Sequence, residues 1–137
     1  MRVPLVFAGP GVASGARADG LCHLHDVFPT VCALAGFPVP ATVEGRSLAA
    51  ALRDPAAPLR DHVFAAYRDV QRMVRTDRWK LIWYPKAGRT QLFDLAADPD
   101  ERENLAGRGE HAATLADLRA RLAECQAAAG DPGPRAA

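Results

Sequence analysis

The 137-residue sequence has only two lysines, Lys80 and Lys86, and only three cysteines, Cys22, Cys32 and Cys125. An odd set of cysteines without C-x-x-C spacing argues against a disulfide framework or a zinc ribbon, so all three are expected to be reduced and mostly buried. No apolar run approaches the roughly 18 residues that cross a bilayer. The opening MRVPLVFAGPG has one positive charge and too few apolar residues for the core of a signal peptide. Charge of one sign is also lacking: a formal net charge of +1 gives no global field to draw the chain to nucleic acid or to an anionic membrane. Phosphate-cradling patterns are missing as well. Gly9-Pro10-Gly11 follows an apolar run but matches neither G-x-G-x-x-G nor G-x-x-x-x-G-K-[ST], and its proline removes an N–H that such a loop would use.

What is present is ordinary for a globular chain: 49% hydrophobic and 24% charged residues. Val3 to Ala8 (VPLVFA) is apolar on both faces, the pattern of a strand covered on both sides in an α/β sheet. A glycine-rich loop follows. Asp26 is placed to cap a helix through Val27, Phe28, Val31, Cys32 and Leu34, with Pro29 in its first turn and Gly36 as its stop. Ser47 is placed to cap a second short helix, Leu48 to Arg53. From His62 the period becomes two. His62 to Tyr67, Arg72 to Thr76, Trp79 to Tyr84 and Gln91 to Leu95 read as four strands of an antiparallel meander, with Trp79, Leu81 and Trp83 on one face. An amphipathic helix, about His111 to Ala128, shows Leu115, Leu118, Leu122 and Cys125 on one stripe and should pack on that sheet. The expected organisation is α/β (α+β): residues 1–60 as an incomplete piece of an α/β domain, 61–128 as a small α+β unit, and 129–137 as a disordered tail.

Chemistry is sparse. His23-Leu24-His25-Asp26 has two histidines and an aspartate at ligand-like spacing, but no further ligands follow at matching distance, so a helix-capping Asp26 with two loop histidines is the better reading. No spacing sets His62 or His111 beside a cysteine as a base for a nucleophile. Arg68, Arg72, Arg75, Arg78 and Lys80 form a basic run interrupted by Asp69 and Asp77. A solvated strand face with local ion pairs explains most of it, while arginine also suits bidentate recognition of sulfate, phosphate or carboxylate. The turn from Ala66 to Gln71 gives the candidate substrate contacts: Tyr67, Arg68 and Arg72. No catalytic constellation and no metal site stand out. Nucleic acid is excluded as a partner because no aromatic platform interleaves with a basic surface.

Taken in order, RVPLVFAGPGV, HDVFPTVCALAG, EGRSLAAAL, RMVRTDRWKLI and LFDLAADPDERENLA resemble the C-terminal third of the formylglycine-dependent sulfatases, of the alkaline-phosphatase-like superfamily. The resemblance spans residues 2 to 106. It implies that the first block ends a large α/β domain and that the later blocks form a small antiparallel sheet with a packed helix beside an active site. It also implies a parent enzyme that hydrolyses sulfate esters with a formylglycine, made from cysteine in a C-x-P-x-R setting, and a divalent metal, usually calcium. None of Cys22, Cys32 or Cys125 has that setting, and no Asp-His-Gly block is present. The chain is therefore expected to lack the catalytic centre and to be inactive alone. Its expected partners are an N-terminal catalytic region and, in the intact parent, a sulfated small molecule or glycan. The end-piece of a related phosphodiesterase or phosphonate monoester hydrolase, and a non-catalytic module binding anionic glycans, are the alternatives.

Overall fold

The computed structural model describes residues 3–133, which divide into two compact units, Met1–Arg60 and Asp61–Ala137. In the first unit Val3 to Ala8 forms no strand, contrary to the sequence reading. Val3 and Val6 are 63% and 84% exposed. An apolar run becomes a strand only where a neighbour supplies ladder partners, and no described segment pairs with this one.

Helix α1 (Val27–Leu34) and helix α2 (Ala49–Arg53) follow the expected segments closely. The end of α1 is a Schellman motif: Gly36 takes φ +75°, and the Phe37 N–H donates to the Cys32 carbonyl at 2.9 Å. The start of α1 differs from expectation. A 3-10 turn, Leu24–Asp26, precedes it, and the Asp26 side chain makes no capping bond to the helix. Instead this fully buried carboxylate accepts N–H groups from His23 (2.7 Å) and Arg46 (2.8 Å) and the guanidinium of Arg60. Thr30, also buried, links α1 to the approach of α2. Its hydroxyl donates to the Asp26 carbonyl (2.6 Å) and accepts the Leu48 N–H (2.8 Å). Ser47 accepts the Ala49 N–H at 3.2 Å, but the N-cap of α2 is Leu48, so Ser47 sits one residue before the cap position expected of it.

Close backbone approach explains one glycine here. A Cβ on Gly45 would lie 2.3 Å from the His25 carbonyl oxygen. Gly45→Ala should therefore push the 44–46 segment off Asp26 and cost about 1–3 kcal/mol. A melt monitored by amide exchange in α1 checks this, and an unchanged midpoint would contradict it.

The second unit is an antiparallel meander in the order β1-β2-β3-β4, with strands Val63–Tyr67, Gln71–Arg75, Trp79–Tyr84 and Arg89–Asp94. Its register pairs Val74 with Leu81 and Leu81 with Leu92, so the three share one face. All three are fully buried. Helix α3 (Ala112–Ala128) covers that face with Leu118 and Leu122, and Leu115 and Cys125 pack around them. The tryptophans of β3 join this core, Trp79 also meeting His111 at 5.4 Å between ring centroids. The two margins of the sheet differ. Beyond β4, Leu105 donates to the Leu92 carbonyl (2.8 Å), and Asn104 accepts the Leu92 N–H (2.9 Å) while donating to the Thr90 carbonyl (3.1 Å). Beside β1 no described strand pairs.

The segment after α3 departs from the expected disorder at Asp131, which is an acceptor for four groups of the second unit. Residues 134–137, the rest of that expected tail, lie outside the described residues. Cys22 is exposed rather than buried, Cys32 and Cys125 are half-buried, and all three are free thiols.

Candidate functional site

The β1–β2 turn gathers the three residues singled out from the sequence. Alternation along β1 places Tyr67 at the strand end, 56% exposed. Arg68 follows in the left-handed region at φ +48°, unusual for a residue with a Cβ. The turn closes through the Val70 N–H on the Tyr67 carbonyl at 3.1 Å, and the Arg68 guanidinium lies 5.6 Å from the Tyr67 ring centroid. Asp69 of the same turn pairs with Lys86 from the β3–β4 connection.

Arg72 plays a different part. Register sets it opposite Trp83, on the face that carries α3, and its side chain is 3% exposed. One Nη1 donates to the carbonyls of Arg68 (2.6 Å) and Gln71 (3.1 Å), while Nε and Nη2 clasp the Asp131 carboxylate. A buried guanidinium needs both its charge balanced and its donors satisfied. Arg72 meets both needs, and in doing so ties the backbone of Arg68 to the end of α3. Tyr67 and Arg68 are thus presented outward, and Arg72 holds the turn from inside. Sequence reasoning missed Asp131, because a Gly-Asp-Pro-Gly segment carries no local signal of a partner 59 residues away.

Arg72 holds the Asp131 carboxyl well below the usual range, at about 2, with Gln126 and the Gly133 N–H adding to the effect. A depressed folded-state value contributes stability that is fully present above the unfolded pKa, about 3.9, and is lost as pH falls toward the folded value. The second unit should therefore lose stability between about pH 4 and pH 2. In Asp131→Asn this part of the acid transition should be missing, which an acid titration of tryptophan emission can read.

The rest of the basic run is mainly ion-paired. Arg78 donates to Asp94 at 2.7 Å and draws its carboxyl down, and Lys80 meets Glu101. Arg75 stands apart, its Nε buried with no partner among the described residues. In the first unit the His23 and His25 rings stack at 4.7 Å, and the Asp26 carboxylate is committed to Arg60 and to the His23 and Arg46 N–H groups. Burial would raise the pKa of Asp26, but the Arg60 hydrogen bonds and the Arg46 and His23 N–H groups outweigh it and the pKa falls. Among the described residues no three His, Cys, Asp or Glu side chains gather as a metal site. The residues present thus do not fit the calcium or the formylglycine that the sequence resemblance implies for a parent. No described helix is long and apolar enough to cross a membrane.

Residues 1–128 match the family described as N-sulphoglucosamine sulphohydrolase, C-terminal. A Delta 4,5-hexuronate-2-O-sulfatase of Bacteroides thetaiotaomicron is 37% identical over 133 residues, covering 88% of this chain, while the chain spans 27% of that relative's length. A solved 2-O GAG sulfatase superposes with a TM-score of 0.77 at 33% identity, over 92% of this chain and 30% of its own. A phosphonate monoester hydrolase from Silicibacter pomeroyi superposes with a TM-score of 0.73 over 87% of this chain and 28% of its own, at 24% identity, a likeness of fold alone. The α/β character, the four-stranded sheet with its packed helix and the family match agree: the chain belongs to the sulfatases, as a C-terminal portion of their fold.

Proposed function

We propose that this chain completes a sulfuric ester hydrolase acting on a sulfated saccharide, in which it is structural and brings the β1–β2 turn to the substrate. The observation that carries this reading is the match of residues 1–128 to a sulfatase C-terminal family, with a relative named for sulfate removal from a hexuronate. Tyr67 and Arg68 are the contacts: a guanidinium for a sulfate or carboxylate oxygen, beside an aromatic face. Arg72 contributes by positioning, because it binds the Arg68 carbonyl. The metal and the formylglycine, with the residues that carry them, belong to an N-terminal catalytic partner region. No step of the reaction is assigned to residues of this chain.

Reading the DNA upstream of the Met1 codon tests the parentage. A C-x-P-x-R and an Asp-His-Gly, in frame or after a shift, are the expected result, and about a kilobase of unrelated sequence would overturn it. In the enzyme so assembled, Arg68→Gly separates contact from folding. Glycine relieves the left-handed backbone, so stability should hold or rise by up to about 1 kcal/mol. KM for a sulfated disaccharide should rise about tenfold, the loss of one charge-assisted hydrogen bond. An unchanged KM would remove Arg68 from the substrate.

A further inference from the structure

Helix α3 ends in a Schellman motif that turns the chain back toward the candidate site. Gly130 takes φ +60°, its N–H donates to the Ala127 carbonyl at 3.2 Å, and the Asp131 N–H donates to the Gln126 carbonyl at 2.9 Å. The reversal sets the Asp131 carboxylate against Arg72, whose Nη2 donates to it at 2.7 Å. The Gln126 side-chain amide (3.0 Å) and the Gly133 N–H (3.1 Å) donate to the same carboxylate. Asp131 is thus fixed by the cap before it fixes anything else.

The far end of this chain of contacts is strained. Arg68 stands at φ +48°, a conformation that a residue with a Cβ keeps only where its surroundings over-determine it. Two ties reach its turn. The Asp69–Lys86 pair lies at the surface, where ion pairs contribute little. The Arg72 guanidinium is buried, balanced by Asp131, and its Nη1 donates to the Arg68 carbonyl at 2.6 Å. A charge-assisted bond out of water is the stronger of the two, so the buried tie governs the turn.

We infer that the C-terminal cap of α3 positions Arg68: Gly130 aims Asp131, Asp131 orients Arg72, and Arg72 holds the Arg68 backbone so that its side chain faces outward. Gly130 and Asp131 are therefore positioning residues. Their bearing on catalysis rests on the reading of Arg68 as a substrate contact, whereas the strap itself rests on geometry alone.

Nitrogen-15 relaxation of the full chain tests the strap without substrate. In the wild type, residues 68–70 should be as rigid as β3, with order parameters of about 0.85. Arg72→Met keeps an apolar side chain of similar length in the buried position, so the sheet should fold while 68–70 drop to about 0.6 or below. Asp131→Asn, and Gly130→Ala with its strained left-handed alanine, should loosen the same residues to a lesser degree and leave β3 unmoved. A turn already mobile in the wild type, a turn still rigid in Arg72→Met, or β3 loosening as much as the turn would each overturn the inference. In the assembled enzyme, Asp131→Asn should raise KM for a sulfated disaccharide about threefold with kcat unchanged, and should add nothing in an Arg68→Gly background. Additive effects would also overturn it. A loosened turn with KM unchanged in both Asp131→Asn and Arg68→Gly would instead remove the substrate contact and leave the strap standing.

Discussion

Asp26→Ala is expected to abolish slow amide exchange in α1, at a cost of about 3–5 kcal/mol. The carboxylate is fully buried and is the shared acceptor for the His23 N–H, the Arg46 N–H and the Arg60 guanidinium. Removing it leaves two backbone donors without an acceptor, and it strands the Arg60 side chain, itself 12% exposed, without its counter-charge. Asp26→Asn keeps the shape and part of the hydrogen bonding, so it should fall between wild type and alanine. The readout has to be local. Both tryptophans and both tyrosines lie beyond residue 60, so aromatic emission is blind to the first unit. Exchange protection at Thr30 to Leu34 reports it directly, and wild-type protection in Asp26→Ala would show that the buried pair does not hold this unit together.

Leu81→Ala should cost the second unit about 2–5 kcal/mol. Leu81 is fully buried at the centre of the row Val74, Leu81, Leu92, with Leu118 and Leu122 above it. Three missing carbons there cannot be filled by collapse, because both flanking strands are pinned by register and α3 spans the gap. With a slope near 1 kcal/mol/M for a unit of this size, the urea midpoint read by tryptophan emission should fall by about 2 M or more. A loss below about 0.5 kcal/mol would mean that the sheet–helix interface relaxes around the void.

The difference between these two cores shows what could be read in advance. The strands of the second unit were legible because alternation is local: Trp79, Leu81 and Trp83 declare one face within five residues, and the turns between strands are short. The stripe of α3 was legible for the same reason. The first unit depends on partners far along the chain. Asp26 looked like a helix cap, since nothing near it in sequence announces Arg60, 34 residues on. Val3 to Ala8 has the composition of a buried strand, but strand formation is a property of a pair, and a single segment cannot declare its neighbour. Arg72 shows the same limit at the candidate site. Its residue type suggested an outward contact, whereas register sends it inward to Asp131 and gives the outward role to Tyr67 and Arg68.

The unequal margins of the small sheet set a stoichiometry. One side is sealed by Asn104 and Leu105, and on the other no described strand pairs with β1. A unit with a single adhesive side has a valence of one. Two copies joined through β1 would use up the adhesive side of each, so growth by strand addition stops at a pair, where a sheet open on both sides would polymerise.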